Sequence, residues 1–541
     1  MHHPPRKRIS RLHFVLVCAA LALTVAAYSP LAAGQNPIFE DAVLPNSGGP
    51  GNNAGSAVAV WGDVAIVGAQ DEDDLGNYSG SAYIFRYDPG SGTWSEEQEL
   101  HASDGAAGDH FGKSVALYED VAIVGAPYHD DLYSSTGAVY IFRYDPGSGT
   151  WIQEEKIVAA DQSPSDCFGW AVAIHGDVVL VGMPNDYVSF VHGGTAHFYR
   201  HNAGSGNWDH EDSVQAQYPE DGADFGKAVA LYGDTALIGS PYEDGPGNDS
   251  GAAFFFSYNS STQTWTQDAK CQASDAASGD QFGYSVSLHG GVALVGAHKV
   301  DGPGGFDTGA AYVYYDIGYW YEALKFTDPD GDDYDYFGES VSIYDNKAVI
   351  GAAGKQLSSQ KSGTAFVYYY FDTTENWAEQ YQLRSSATYC TALGQSVSIH
   401  EERIVAGVYE EALVYDSLEA DPIYLDVDCN GDDGPLTLSQ WDIADLTIAL
   451  HPGDSLGVRH DWWIAAWKQG GNVYSWIYGP NPYWRQGRRR TYVGPLIALK
   501  SYTFHYGFIP IGTWEIEFTL DDDDNTYQGT HTDSIEISVT T

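Results

Sequence analysis

The residues in this chain best equipped for chemistry are carboxylates, and they come in groups. Asp328-Pro329-Asp330-Gly331-Asp332-Asp333 sets oxygen ligands on alternating residues beside a glycine, so Asp328, Asp330 and Asp332 form a candidate Ca²⁺ site. Asp426, Asp428, Asn430 and Asp432 alternate in the same way, with Gly431 in the sixth position of a calcium loop. The twelfth position is Thr437, where a bidentate glutamate is usual. A polar interdomain turn would give the same run. Asp521 to Asn525 is a second acidic loop of this kind.

Two further sets recur along the chain. One precedes a repeated Phe-Gly: Asp104 and Asp109, Asp161 and Asp166, Asp221 and Asp224, Asp275 and Asp280, Asp330 and Asp335. The other includes Asp71, Asp73 and Asp74, Asp130 and Asp131, Glu243, Asp244 and Asp249, and Asp301 and Asp307. Such residues either meet a cation or ligand, or cap backbone N–H groups in turns. His129, His192 and His298 fall in equivalent loops and could ligate a metal or move protons. The chain has no HExxH, GxSxG, P-loop or dinucleotide fingerprint, so the expectation is not an enzyme.

The elements that hold these loops are legible from a repeat. Phe-Gly is followed by an alternating apolar run, a polar turn, and an apolar run ending in glycine. Clear copies begin at Phe111, Phe168, Phe225, Phe282 and Phe337, and weaker ones at Ala54 and Leu393. The motif glycines fall at 55, 112, 169, 226, 283, 338 and 394, a period of 55 to 57 residues. Tyr83 to Trp94 returns unchanged as Tyr140 to Trp151. Each unit reads as four short antiparallel strands, so seven units predict an all-β, seven-bladed β-propeller over residues 35–418. The seventh unit has no Trp-led fourth strand. The run from Phe39 to Leu44 is a surplus strand and is predicted to complete that blade.

Phe111-Gly112 with Val124-Gly125-Ala126-Pro127 resembles the FG-GAP repeats of integrin α-chain propellers and of many secreted bacterial proteins. The resemblance implies an extracellular adhesion or recognition role. It also implies Asp-x-Asp-x-Asp-Gly calcium loops between first and second strands. Those connections are short here, as in Tyr118-Glu119-Asp120 and His175-Gly176-Asp177, so those sites do not carry over. The acidic loops instead emerge together on the opposite face. Asp73, Asp74, Asp130, Asp131, Glu243, Asp244 and Asp301 are therefore the expected ligand face.

Residues 419–434 read as an acidic linker. Residues 435–541 alternate in runs separated by Gly, Pro and Asp, which predicts a small β-sandwich-like domain. Its Trp462, Trp463, Trp467, Trp476, Tyr483 and Trp484 suit a core or sugar stacking. Arg485 and Arg488 to Arg490 form a basic cluster that could meet the acidic propeller. Residues 1–34 read as a signal peptide: Arg6, Lys7, Arg8 and Arg11 precede an apolar run from Phe14 to Ala27. No later run is long and apolar enough for a membrane helix. Cys167, Cys271, Cys390 and Cys429 remain after the signal and permit disulfides, with the pairing open. A net charge of −49, from 25 Lys+Arg against 74 Asp+Glu, repels nucleic acid and attracts cations. Solubility alone would also explain it. The expectation is a secreted binding or adhesion protein for a protein or glycan ligand, with Ca²⁺ as a possible cofactor. The alternatives are an exported propeller enzyme acting on polysaccharide or polypeptide, and a passive envelope component.

Overall fold

Apolar residues at every second position, punctuated by Gly, Pro and Asp, fold each repeat into a four-stranded antiparallel meander. The computed structural model describes residues 37–416, apart from 46, 49–50, 189, 358–362, 372–375 and 387–390; beyond 416 it describes only the backbone of the strands. Residues 1–34, and with them the expected signal peptide, lie outside the described residues. In the second blade the strands are Ser114–Tyr118, Val121–Ala126, Ala138–Asp145 and Thr150–Ile157. The first strands of successive blades approach one another all the way round, so they line the axis of a seven-bladed ring. A bulge interrupts the pairing of third and fourth strands in six blades, adding twist where the blade fans outward. Each core cluster is shared by neighbours. Ile66, Ile84 and Leu100 of the first blade pack with Val124, Tyr140 and Trp151 of the second.

The Phe-Gly and Gly-Ala-Pro motifs are two halves of one joint. The phenylalanine is fully buried and meets the third strand of its own blade edge-on, as Phe111 does with Tyr140 at 5.5 Å. Gly112 sits at φ +91°, and a Cβ there would lie 2.2 Å from the Ser81 carbonyl oxygen. The glycine that ends the second strand of one blade abuts the Phe-Gly glycine of the next. A Cβ on Gly68 would fall 2.0 Å from Gly112 O, and the same clash recurs round to Gly407 against Gly55. No side chain fits at these seven contacts.

The ring closes through the N-terminus as the sequence predicts, with one correction. Ala42–Leu44 pairs antiparallel with Glu411–Tyr415 and completes the seventh blade. Pro37–Phe39 does not continue that strand. It pairs parallel with Asn376–Arg384 and makes the sixth blade five-stranded. The chain switches blades at Glu40-Asp41, where Glu40 binds the N–H and hydroxyl of Ser386 and Asp41 accepts the N–H of Asp416.

On the short-turn face the axis is tiled by rings. The last residues of the first strands are Trp61, Tyr118, His175, Tyr232, His289, Tyr344 and His400. Each contacts the next at 4.1–5.1 Å between centroids, and the circuit closes from His400 to Trp61. The Nδ1 atoms of His175, His289 and His400 accept the N–H groups of Gly233, Asp345 and Gly62, each in the following blade.

Ser417–Thr541 is a separate unit. Its strands form a three-stranded and a seven-stranded sheet, all β as expected. Among the described residues no helix is long and apolar enough to cross a membrane.

Candidate functional site

Most of the carboxylates singled out by sequence hold turns together. Asp109, Asp166, Asp280 and Asp335 each accept the N–H three residues earlier in their loop. Asp224 does not belong to this series; it lies one residue later in register, and Ala223 takes the capping position. Asp73, Asp130, Asp244 and Asp301 accept the N–H groups of Tyr78, Ser135, Asp249 and Asp307. Those four donors all have positive φ, between 52° and 58°, and the aspartate holds that kink.

A second layer pairs loop carboxylates, some buried and some half-exposed, with lysine. Glu243 is buried and binds Lys270. Lys325 meets Asp275 at 2.6 Å, and Asp275 also takes the Tyr312 hydroxyl. Asp131 accepts Gln162 Nε2 at 3.1 Å and lies 3.9 Å from Lys156. Asp104 takes both Lys156, at 2.7 Å, and Tyr140 OH, at 2.7 Å. In the sixth blade Lys355 ion-pairs with Asp328 and Asp335 and donates to Asp330 O. Burial works against the Lys355 charge, yet the two carboxylates outweigh it and hold its pKa above the ordinary value. An ammonium therefore lies among the carboxylates of the 328–332 loop, and the residues there do not fit Ca²⁺. Asp332 gives its backbone N–H to Asp335.

The first blade departs from this rule. Glu99 stands in the register that Lys156 occupies in the second blade. Ligand atoms of Asp74, Glu99 and His101 lie within 4.8 Å of one another. Burial, ahead of its neighbours, pushes the Glu99 pKa up. In the second unit Asp426 and Asp428 lie within the strand Tyr424–Cys429, opposite Ala449 and Thr447, so this stretch is paired strand and not loop. Asn430 and Asp432 lie outside the described residues.

The histidines are accounted for by packing. His129 is buried, with Nδ1 2.9 Å from Asp109 and Nε2 2.8 Å from Lys156, so both ring nitrogens are taken. His192 is exposed and packs on Tyr187 at 4.9 Å. His298 is buried against Tyr284 at 3.9 Å, and burial pushes its pKa down to about 3. Cys167 and Cys271 are free thiols, so neither forms a disulfide.

What sequence reasoning missed is the mouth of the axial channel on the long-loop face. The residue before each Phe-Gly, or its weaker equivalent, is Asn53, His110, Cys167, Asp224, Gln281, Tyr336 or Ala392. All seven are left-handed, with φ between 54° and 61°. The residue after each motif is Ser56, Lys113, Trp170, Lys227, Tyr284, Glu339 or Gln395. These begin the innermost strands and so ring the mouth. Lys113 and Lys227 place their Nζ atoms 5.2 and 4.0 Å from the Trp170 ring centroid. Lys227 also lies 3.2 Å from Asp224 Oδ2. Burial first, and Lys227 second, hold the Lys113 pKa down. Across the ring, burial pushes Glu339 up to about 7, and its Oε2 has no hydrogen-bond partner among the described residues. The available signal was variation: the positions flanking Phe-Gly vary round the ring, with only lysine used twice at one position, while the motif is kept.

Ring, blade count and motif joints define a β-propeller built from Phe-Gly/Gly-Ala-Pro repeats. The FG-GAP repeat model matches at residues 40–85, 94–142, 151–199, 208–256, 265–314 and 320–368, and the chain belongs to that family. Each match runs from a fourth strand into the third strand of the next blade. No curated protein matches the chain. Among solved structures it is similar to a Bombyx mori GH32 beta-fructofuranosidase mutant in complex with sucrose, at 12% identity and TM-score 0.25, covering 78% of this chain and 85% of that one. It is also similar to the plexin A4 extracellular region (9%, TM-score 0.29, 89% and 54%) and to the tail fiber of Staphylococcus aureus phage P68 (9%, TM-score 0.22, 88% and 100%). At these scores the likenesses carry no argument about function.

Proposed function

We propose that this is an exported binding protein that engages a protein or glycan ligand through the channel mouth on its long-loop face, without catalysing a reaction. One observation carries the reading. Seven residues held in left-handed backbone, each a different type, surround one end of the axis, while the other end is tiled by rings. Left-handed non-glycine backbone costs energy, and it is tolerated where position matters more than strain. Export rests on the leader-like residues 1–34 and on the resemblance to secreted relatives. An array of glycans and matrix proteins, probed with and without Ca²⁺, tests the reading. We expect binding that is lost in Trp170→Ala and Tyr284→Ala but kept when Tyr118→Ala alters the opposite face. Binding that follows Tyr118 and ignores Trp170 would overturn it, as would turnover of the ligand.

A further inference from the structure

With 74 acidic side chains against 25 Lys+Arg, this chain seldom leaves a cation alone. Lys156, Lys270, Lys325 and Lys355 all contact carboxylates. Lys113, like Lys299, has no ion pair within 4.0 Å and no hydrogen-bond acceptor for its ammonium among the described residues; its neighbours are the Trp170 ring at 5.2 Å and, farther off, the Asp71 charge. Lys227 shares that ring at 4.0 Å. Trp170, like Trp61 and Trp320, has no acceptor for its indole N–H among the described residues. Trp94, Trp151, Trp208, Trp265 and Trp377 all donate their indole N–H, to Asp416, Glu97, Glu154, Glu211 and Tyr315. The Lys113 and Lys227 ammonium groups and the Trp170 indole therefore share one side of the mouth, with Asp224 on Lys227 and the Asp71 charge acting on Lys113.

We propose that this side of the mouth binds the carboxylate of an acidic sugar, gripped by the Lys113 and Lys227 ammonium groups beside Trp170. This deepens the binding reading above and rests on it. Two like charges near one indole repel each other, and an anion between them removes that cost. The flat side chains alongside favour a sugar over an acidic peptide. Tyr128 meets Trp170 edge-on at 6.1 Å, and Tyr284 lies over His298 at 3.9 Å. A pyranose offers C–H faces to such rings and carries one carboxylate on each ring. A polyacidic peptide has no such face to lay against the rings.

Calorimetric titration of the full chain with a tetramer of galacturonic acid, the neutral tetramer of galactose and a tetraglutamate peptide tests this. The galacturonate tetramer should bind, and its affinity should fall about tenfold or more in Lys113→Gln and in Lys227→Gln. Lys113→Arg should retain binding, which shows that charge rather than folding is at issue. Lys299→Gln, on the same face in the fifth blade, should leave binding unchanged. Equal affinity in Lys113→Gln, or tetraglutamate binding as tightly as the sugar, would overturn the inference. A neutral glycan or protein lost in Trp170→Ala, with no heat from galacturonate, would overturn this inference and leave the binding reading intact. Binding of no ligand at the mouth would sink both.

Discussion

At the scale of single residues, glycine carries the architecture and aspartate shapes the loops. Gly112 needs both its left-handed backbone and its missing side chain, since a Cβ would press on Ser81 O at 2.2 Å. Gly149 has a similar φ of +71° in a hairpin turn, but a Cβ there meets open space. Gly112→Ala should therefore cost roughly 2–5 kcal/mol, combining left-handed strain with overpacking. Gly149→Ala should cost only about 1–2 kcal/mol. Urea unfolding of both variants checks this, and equal losses would show that the interblade contact is not what the motif serves. Aspartate explains why the ligand face was hard to read. Asp73, Asp130, Asp244 and Asp301 look like ligands because a turn cap and a metal ligand ask for the same short carboxylate. Only the backbone, with its kinked donor at 52–58°, distinguishes the two. Lys355 could not be paired with Asp328 from sequence, because the two meet through the blade's tertiary packing, 27 residues apart.

At the scale of elements, most of the blade was legible. Alternation and turn chemistry give each unit four short antiparallel strands, and the second blade has them. The division of the N-terminal segment was not legible. Phe39 to Leu44 has one continuous strand pattern, and its break at Glu40-Asp41 depends on partners more than 300 residues away. The two halves should contribute unequally. Leu44 is buried on the last blade, whereas Phe39 is 52% exposed at the edge of the sixth. Deleting residues 35–46 should lower the melting temperature sharply, since it opens the seventh blade and loses a buried leucine worth about 1.5–3 kcal/mol. Deleting 35–40 alone should lower it far less. Calorimetric melting of the two truncations decides; equal shifts would mean that the outer parallel strand holds the closure. The mouth residues escaped notice for a related reason. A repeat draws the eye to what every unit shares, and the position held by Lys113, Trp170, Lys227 and Glu339 is not shared.

At the scale of the whole molecule, the ring of aromatic and imidazole side chains ties folding to pH. Burial lowers the pKa of His175, His289 and His400, and in the latter two a neighbouring histidine adds to that despite the pull of Asp345 and Glu401. Each Nδ1 must stay unprotonated to accept its backbone N–H. Because the folded pKa lies below the unfolded value of about 6.5, the native state binds fewer protons. This contribution is complete above pH ~6.5 and is lost as pH falls towards the folded pKa. Asp166, pushed up to about 6 mainly by burial, acts in the opposite sense, so the comparison must be between variants. The melting-temperature advantage of the native chain over His289→Phe should shrink between pH 7 and pH 5. A constant advantage would show that His289 acts through packing alone.

Closure by the N-terminal strand has a consequence for chain order. Asp41 accepts the N–H of Asp416 at 2.8 Å, so the propeller's beginning and end are one hydrogen bond apart. The ring thus has no privileged starting point. A circular permutant in which a short linker joins Asp416 to Asp41, with new termini cut at the exposed hairpin tip between Pro146 and Gly147, keeps every interblade contact described above except those of Pro37–Phe39 and Glu40. Such a chain should reach the same fold, with its seven mouth residues in the same cyclic order but dealt from a different blade.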